Sequence, residues 1–209
     1  RKKVYVFGSI PTAIRNIENG AIYRPLDSTV YANLDLLNYG ETPDISVGRI
    51  MGMTTSDVST LIIRSILYSQ LEKYKMASIM ASKTDPSGTG IHSANGLYKS
   101  LLKNNYKATL FLQDEMDFNG ETIMWQEKEP IIYVDHGYES YAGIESRFIP
   151  DIPNSFVFVN ACSTCSTYDV FSFCNNAIRK GAIAYYGGVG PTFAFDEPNA
   201  ERMIKGIYL

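Results

Sequence analysis

Short unbroken apolar runs alternate along this chain with longer stretches whose apolar residues recur at helical spacing. The runs are Val4–Phe7, Ser78–Ala81, Thr109–Leu112, Ile131–Val134, Phe156–Val159 and Ala182–Tyr186. Residues apolar at successive positions suit parallel strands covered on both faces. Between the runs, Ser56–Tyr74 carries Val58, Leu61, Ile62, Ile66 and Leu67 close to a 3.6-residue period. Thr54, Thr55 and Ser56 are N-cap candidates for this helix, and Asp57 in its first turn meets the helix dipole. Ala94–Lys103 gathers Leu97, Leu101 and Leu102 on one side. Tyr168–Lys180 does the same with Phe173, Cys174, Ala177 and Ile178, and Gly181 follows as a C-terminal stop. This alternation predicts an α/β fold: a three-layer α/β/α sandwich around a mostly parallel sheet of roughly six strands.

Residues 20–50 follow another pattern. Val30–Asp35 and Ile45–Arg49 are strand-like around a polar turn region, and predict a β-hairpin extension of a single domain spanning 1–209. Asp85–Ser93 is rich in turn formers and predicts a loop on the rim of the sheet. Gly187–Pro191 predicts a second rim loop; it lacks the glycine spacing and lysine of a phosphate-binding motif.

Composition narrows the function classes. A length of 209 residues, 45% hydrophobic and 20% charged, is enough for a large single core. The net charge of −3 gives no basic footprint for nucleic acid. No apolar stretch approaches the roughly 18 residues of a membrane helix. The chain opens on Arg1-Lys-Lys without a methionine or a signal peptide, which suggests a piece of a longer polypeptide. Three cysteines are too few for a disulfide scaffold.

Two runs end in reactive side chains. Ile131–Val134 leads to His136-Gly137, and Phe156–Val159 leads to Cys162. Functional groups of open α/β sheets gather at the carboxyl ends of the strands, so both would emerge on one rim. A thiol there with an imidazole suggests a cysteine nucleophile and its base. The 26-residue separation accommodates one strand plus a crossover. A glycine after the histidine leaves its N–H unobstructed, so Gly137 and Cys162 amides could form an oxyanion hole. The bland reading is a small buried cysteine and a loop histidine. Cys162-Ser-Thr-Cys165 also has the spacing of a dithiol redox site, without the aromatic and proline neighbours common in such sites. A zinc site would need ligands that the sequence lacks, and no metal or other cofactor is expected. Cys174 falls on an apolar helix face and reads as core. His92 reads as a solvated loop residue. Asp85, Asp135 and Glu139 are carboxylates that could orient His136, and Asp85 could instead receive a basic substrate side chain. Phe193 and Phe195 could wall a pocket or pack against a helix.

His136-Gly137 and Ala161-Cys162, each closing an apolar strand, resemble the caspase-like clan of cysteine peptidases. Pro43-Asp-Ile-Ser-Val-Gly-Arg49 resembles a segment of gingipain-like members of that clan. Phe173–Gly187 resembles the helix–strand unit that follows their catalytic cysteine. The resemblance covers the chain from about Asp27 onward. It implies a caspase-like fold and an endopeptidase acting on peptide or protein substrates. Cys162 would be the nucleophile, His136 the base, and the Gly137 and Cys162 amides the oxyanion donors. It further implies a basic P1 preference, with Asp85 and Phe193 as substrate-binding candidates, and a secreted or cell-surface setting. The chain departs from the pattern in Asp135, where a glycine is common, and in Cys165. Two other readings stand beside it: a non-catalytic or self-processing module of a larger protein, and a thiol-disulfide protein using Cys162 and Cys165.

Overall fold

In the computed structural model, residues 3–7, 15–16, 22–23, 46–50, 52, 54–70, 76–82, 88–113, 122–126, 129–152, 154–165, 171–188 and 190–192 are described. The chain divides into two compact units, 1–62 and 63–209. In the first, β1 (Lys3–Phe7) runs parallel to β4 (Ser46–Ile50), from Lys3↔Ser46 to Phe7↔Ile50. A short antiparallel pair joins β2 (Arg15–Asn16) to β3 (Ile22–Tyr23). The apolar run at Val4–Phe7 is therefore a strand, but of this smaller sheet. Ser46–Ile50 is also a strand, with β1 as its partner; residues 30–35, expected as the other hairpin arm, lie outside the described residues.

Helix α1 (Thr55–Leu67) begins where the polar cluster predicts. Asp57 N–H donates to Thr54 Oγ1 at 3.1 Å, and Thr54 N–H donates to Asp57 Oδ2 at 3.0 Å. This reciprocal cap satisfies amide groups that the first helical turn leaves unpaired.

The second unit holds the main sheet. Its strands are β5 (Met76–Ala81), β6 (Lys107–Leu112), β7 (Ile131–Val134), β8 (Phe156–Asn160) and β9 (Ala184–Gly187). They lie in the order β6-β5-β7-β8-β9, and every pairing is parallel. Helix α2 (Thr89–Lys103) connects β5 to β6, and α3 (Phe173–Arg179) connects β8 to β9.

The twofold alternation of side chains along a strand decides which helix covers which face. Ile131, Tyr133, Val157 and Val159 pack with Phe173 and Ala177 of α3, together with Trp125 and Ile144. Ile132, Val134 and Phe158 face the other way, onto Ala94, Leu97 and Leu101 of α2. The central strands are buried on both faces, as their unbroken apolar runs require, while the edge strands β6 and β9 are partly exposed, and the result is a three-layer α/β/α sandwich. Burying each large side chain of these layers contributes about 1.5–3 kcal/mol. Arg64 near the end of α1 donates from Nη1 to Ile178 O at 2.8 Å, holding this end of the helix beside α3.

Candidate active site

Strands β7 and β8 are neighbours, registered from Ile131↔Val157 to Val134↔Asn160. His136 and Cys162 each stand two residues beyond that last pair. The sheet thus delivers both side chains to one edge, from strands spaced about 4.8 Å apart. His136 is exposed and Cys162 half-buried with a free thiol.

Gly137 brings the two strand exits together. A Cβ at this position would lie 2.7 Å from Ala161 Cβ, 2.9 Å from Tyr141 O and 3.0 Å from Thr164 Cγ2. Only a residue without a side chain lets the His136-Gly137 segment rest on the turn that carries Cys162. Beyond it, Tyr138 and Tyr141 exchange backbone hydrogen bonds of 3.1 and 3.0 Å, and their rings stack with centroids 5.3 Å apart. Phe173 N–H at the start of α3 donates to Glu139 O at the tip of this hairpin, at 2.6 Å. Among the described residues, no backbone carbonyl accepts from the N–H of Gly137 or of Cys162.

The Cys162 turn is strained and well tied. Ser163 adopts a left-handed backbone, φ 56°, which costs a non-glycine residue about 1–2 kcal/mol. Its N–H donates to Gly190 O at 2.9 Å, and Cys165 N–H donates to Gly188 O at 2.8 Å. Thr164 O accepts from Cys174 N–H at 3.0 Å. The sulfur of Cys162 receives Thr192 N–H at 3.3 Å and faces Thr192 O at 3.7 Å. The Gly187–Pro191 segment, expected as a simple rim loop, is therefore a cradle for the cysteine turn. A Cβ at Gly188 would lie 2.8 Å from Ala161 O, so the close approach again depends on glycine.

Two sequence expectations are corrected here. Cys165 is bonded to Cys174, not available to Cys162, and Cys174 is not a free core thiol. The Cys162–Cys165 dithiol is thereby replaced by one free thiol beside a structural disulfide. His92 lies in α2, not in a loop: the helix begins at Thr89 after Gly88, whose φ is 63°. Gly90 inside that helix allows close packing; its Cβ would meet Val134 O at 3.0 Å. Asp85, Phe193 and Phe195 lie outside the described residues.

Asp135 does its work through main-chain contacts. Its Oδ1 accepts His136 N–H at 2.6 Å, and its Oδ2 accepts the N–H of Ser82, just past β5. Tyr133 donates its hydroxyl to His136 O at 2.8 Å. Asp135 is one of the carboxylates expected to be able to orient His136, but neither its grip on the main chain nor the part of Tyr133 was legible in the sequence. A surface groove lined by Ser140, Glu145, Ser146, Arg147, Phe171 and Asn176 does not include His136 or Cys162. Its polar groups pair with one another: Arg147 Nε with Glu145 Oε2 at 2.7 Å, and Asn176 Nδ2 with Ser146 Oγ at 3.0 Å. Among the described residues, no three His, Cys, Asp or Glu side chains gather as a metal-binding group, and no helix is long and apolar enough to cross a membrane.

No protein-family model matches the chain, and no curated protein does. A solved structure described as "Structure of Protease" is similar to it, with a TM-score of 0.62 at 13% sequence identity. The likeness covers 82% of this chain and 42% of that one, so the matched part spans somewhat less than half the length of its neighbour. At this identity the similarity is one of fold.

Proposed function

We propose that this chain is the peptidase domain of a cysteine endopeptidase, with a caspase-like fold of the gingipain-like kind. The observation that carries the reading is the seating of Gly137 on Ala161, which joins the histidine and cysteine segments at one sheet edge. A neighbour described as a protease supports peptide hydrolysis as the reaction class.

In this reading the Cys162 sulfur attacks the scissile carbonyl carbon while His136 takes the thiol proton. The carbonyl oxygen becomes an oxyanion held by the N–H groups of Gly137 and Cys162, which have no backbone acceptor among the described residues. Collapse of the tetrahedral species breaks the C–N bond, and His136 returns the proton to the leaving amine. Water, deprotonated by His136, then attacks the thioester and releases Cys162. Asp85 and Phe193 are the substrate-binding candidates, with Asp85 facing a basic P1 side chain. The substrate is a peptide or protein, and further domains of a parent chain accompany this one. The Cys165–Cys174 disulfide favours a secreted or cell-surface setting, since such bonds persist in oxidising compartments.

A second reading, a non-catalytic or self-processing module, draws on the Thr192 main chain that occupies the Cys162 sulfur. Labelling with lysine and arginine chloromethylketone peptides, read by mass spectrometry, separates the two. Modification of Cys162 that disappears in His136→Ala supports the dyad and a basic P1 pocket. Labelling only by a small alkylating agent would overturn the P1 preference. A Cys162 that nothing labels would favour the second reading.

A further inference from the structure

We propose that Asp135 and Tyr133 are positioning residues for His136, gripping its main chain from its two sides. The inference rests on the reading of His136 as the base. The strand ladder between β7 and β8 ends at Val134, two residues before His136. Two side chains reach the His136 main chain. Asp135 Oδ1 accepts the His136 N–H at 2.6 Å, and the Tyr133 hydroxyl donates to the His136 carbonyl at 2.8 Å.

The chemistry of each residue suits its task. An ionised aspartate is acceptor-only, with two oxygens. One oxygen takes the amide of His136 and the other the amide of Ser82, so the carboxylate also ties the exit of β5 to the exit of β7. An asparagine would turn an NH₂ group toward one of these amides and leave a donor unpaired. Glutamate would carry its carboxylate one methylene too far from the adjoining amide. The first turn of α2 packs beside this carboxylate, where a Cβ at Gly90 would lie 3.7 Å from Asp135 Cγ. A helix N-terminus favours a negative charge there.

Tyr133 is 1% exposed, so its ring is fixed by the core and its hydroxyl is delivered to a set point. That hydroxyl has one proton, and His136 O and Gln113 Oε1 are among the acceptors near it. His136 O at 2.8 Å is the bonded one, since Gln113 Oε1 stands at 3.5 Å. The imidazole of an exposed residue therefore projects from a backbone anchored to both the core and the neighbouring strand.

The test is the alkylation of Cys162 by iodoacetamide from pH 5 to 9, read by mass spectrometry, with thermal melting beside it. Wild type is compared with His136→Ala, Asp135→Asn and Tyr133→Phe. We expect His136→Ala to slow alkylation at pH 6–7 by tenfold or more relative to pH 9, on the order of a lost general base. Asp135→Asn should follow it within about threefold, and Tyr133→Phe should show a smaller loss in the same pH range, with cooperative melting retained. A His136→Ala profile that differs from wild type, with both other variants at wild-type values, would overturn the positioning role and leave the base intact. A His136→Ala profile equal to wild type would overturn the base reading itself, and this proposal with it. If Asp135→Asn does not fold, Tyr133→Phe, which loses one oxygen atom, decides the question.

Discussion

Gly137 and Ala161 touch so closely that a methyl group on the glycine would lie 2.7 Å from the alanine Cβ. This single contact fits the exit of β7 to the exit of β8. Gly137→Ala should destabilise the protein by about 1–3 kcal/mol through overpacking. It should also lower peptidase activity, because the His136 segment must lift off the cysteine turn. Gly190→Ala is the control, since its Cβ would meet nothing within 4 Å. Urea denaturation should show a lower midpoint for the first variant and a near wild-type one for the second.

Cys162→Ala should lower turnover by about 10³-fold or more, as loss of a nucleophile does. The thiol is half-buried at the rim, so the cost in stability should be less than about 1 kcal/mol. Peptide cleavage and thermal melting, measured on the same preparation, check both halves. Retained cleavage would remove Cys162 from the mechanism.

Thiol titration of the denatured chain should find one reactive group before reduction and three after it. The pairing of Cys165 with Cys174 leaves Cys162 as the free cysteine. A count of three before reduction would show that the disulfide does not form.

Alkaline pH should destabilise the fold. Burial raises the pKa of Tyr185, whose hydroxyl oxygen is buried. Burial, and then the hydrogen bond and charge of Glu129, raise that of Tyr68. A raised phenol pKa means that the native state keeps the proton longer than the unfolded chain does. The contribution to stability is complete below the unfolded value of about 10 and is lost as pH rises beyond it. Melting temperature should fall above that pH, and Tyr185→Phe should make the decline shallower. An unchanged slope would sink the assignment.

Much of the layer structure was legible in the apolar runs, because strands buried on both faces leave an unbroken signature. Ile131–Val134 is a strand over the expected residues, and Phe156–Val159 needs only Asn160 added. The start of α2 was not legible. Gly88 and Gly90 look like loop residues in a sequence, yet one precedes the helix with a left-handed backbone and the other lets the helix approach β7. The placement of His136 and Cys162 at neighbouring strand ends followed from their runs. The disulfide did not, since three cysteines allow more than one pairing and Cys174 sits where an apolar side chain would serve. Asp135 reads as a carboxylate able to orient His136, but its main-chain contact was not legible, nor were those of Tyr133 and Thr192, because they run through backbone groups that no side-chain pattern encodes.

The cradle around Cys162 has a consequence for the order of events during synthesis. The carbonyls that hold Ser163 and Cys165 belong to Gly190 and Gly188, and Thr192 supplies the groups at the sulfur. All of these are made after the cysteine itself. A nascent chain that has reached Cys162, with His136 already formed, still lacks the segment that sets its thiol in place. The ribosome must add thirty more residues before the thiol can be seated, so its cradle is delayed until β9 and its exit have emerged.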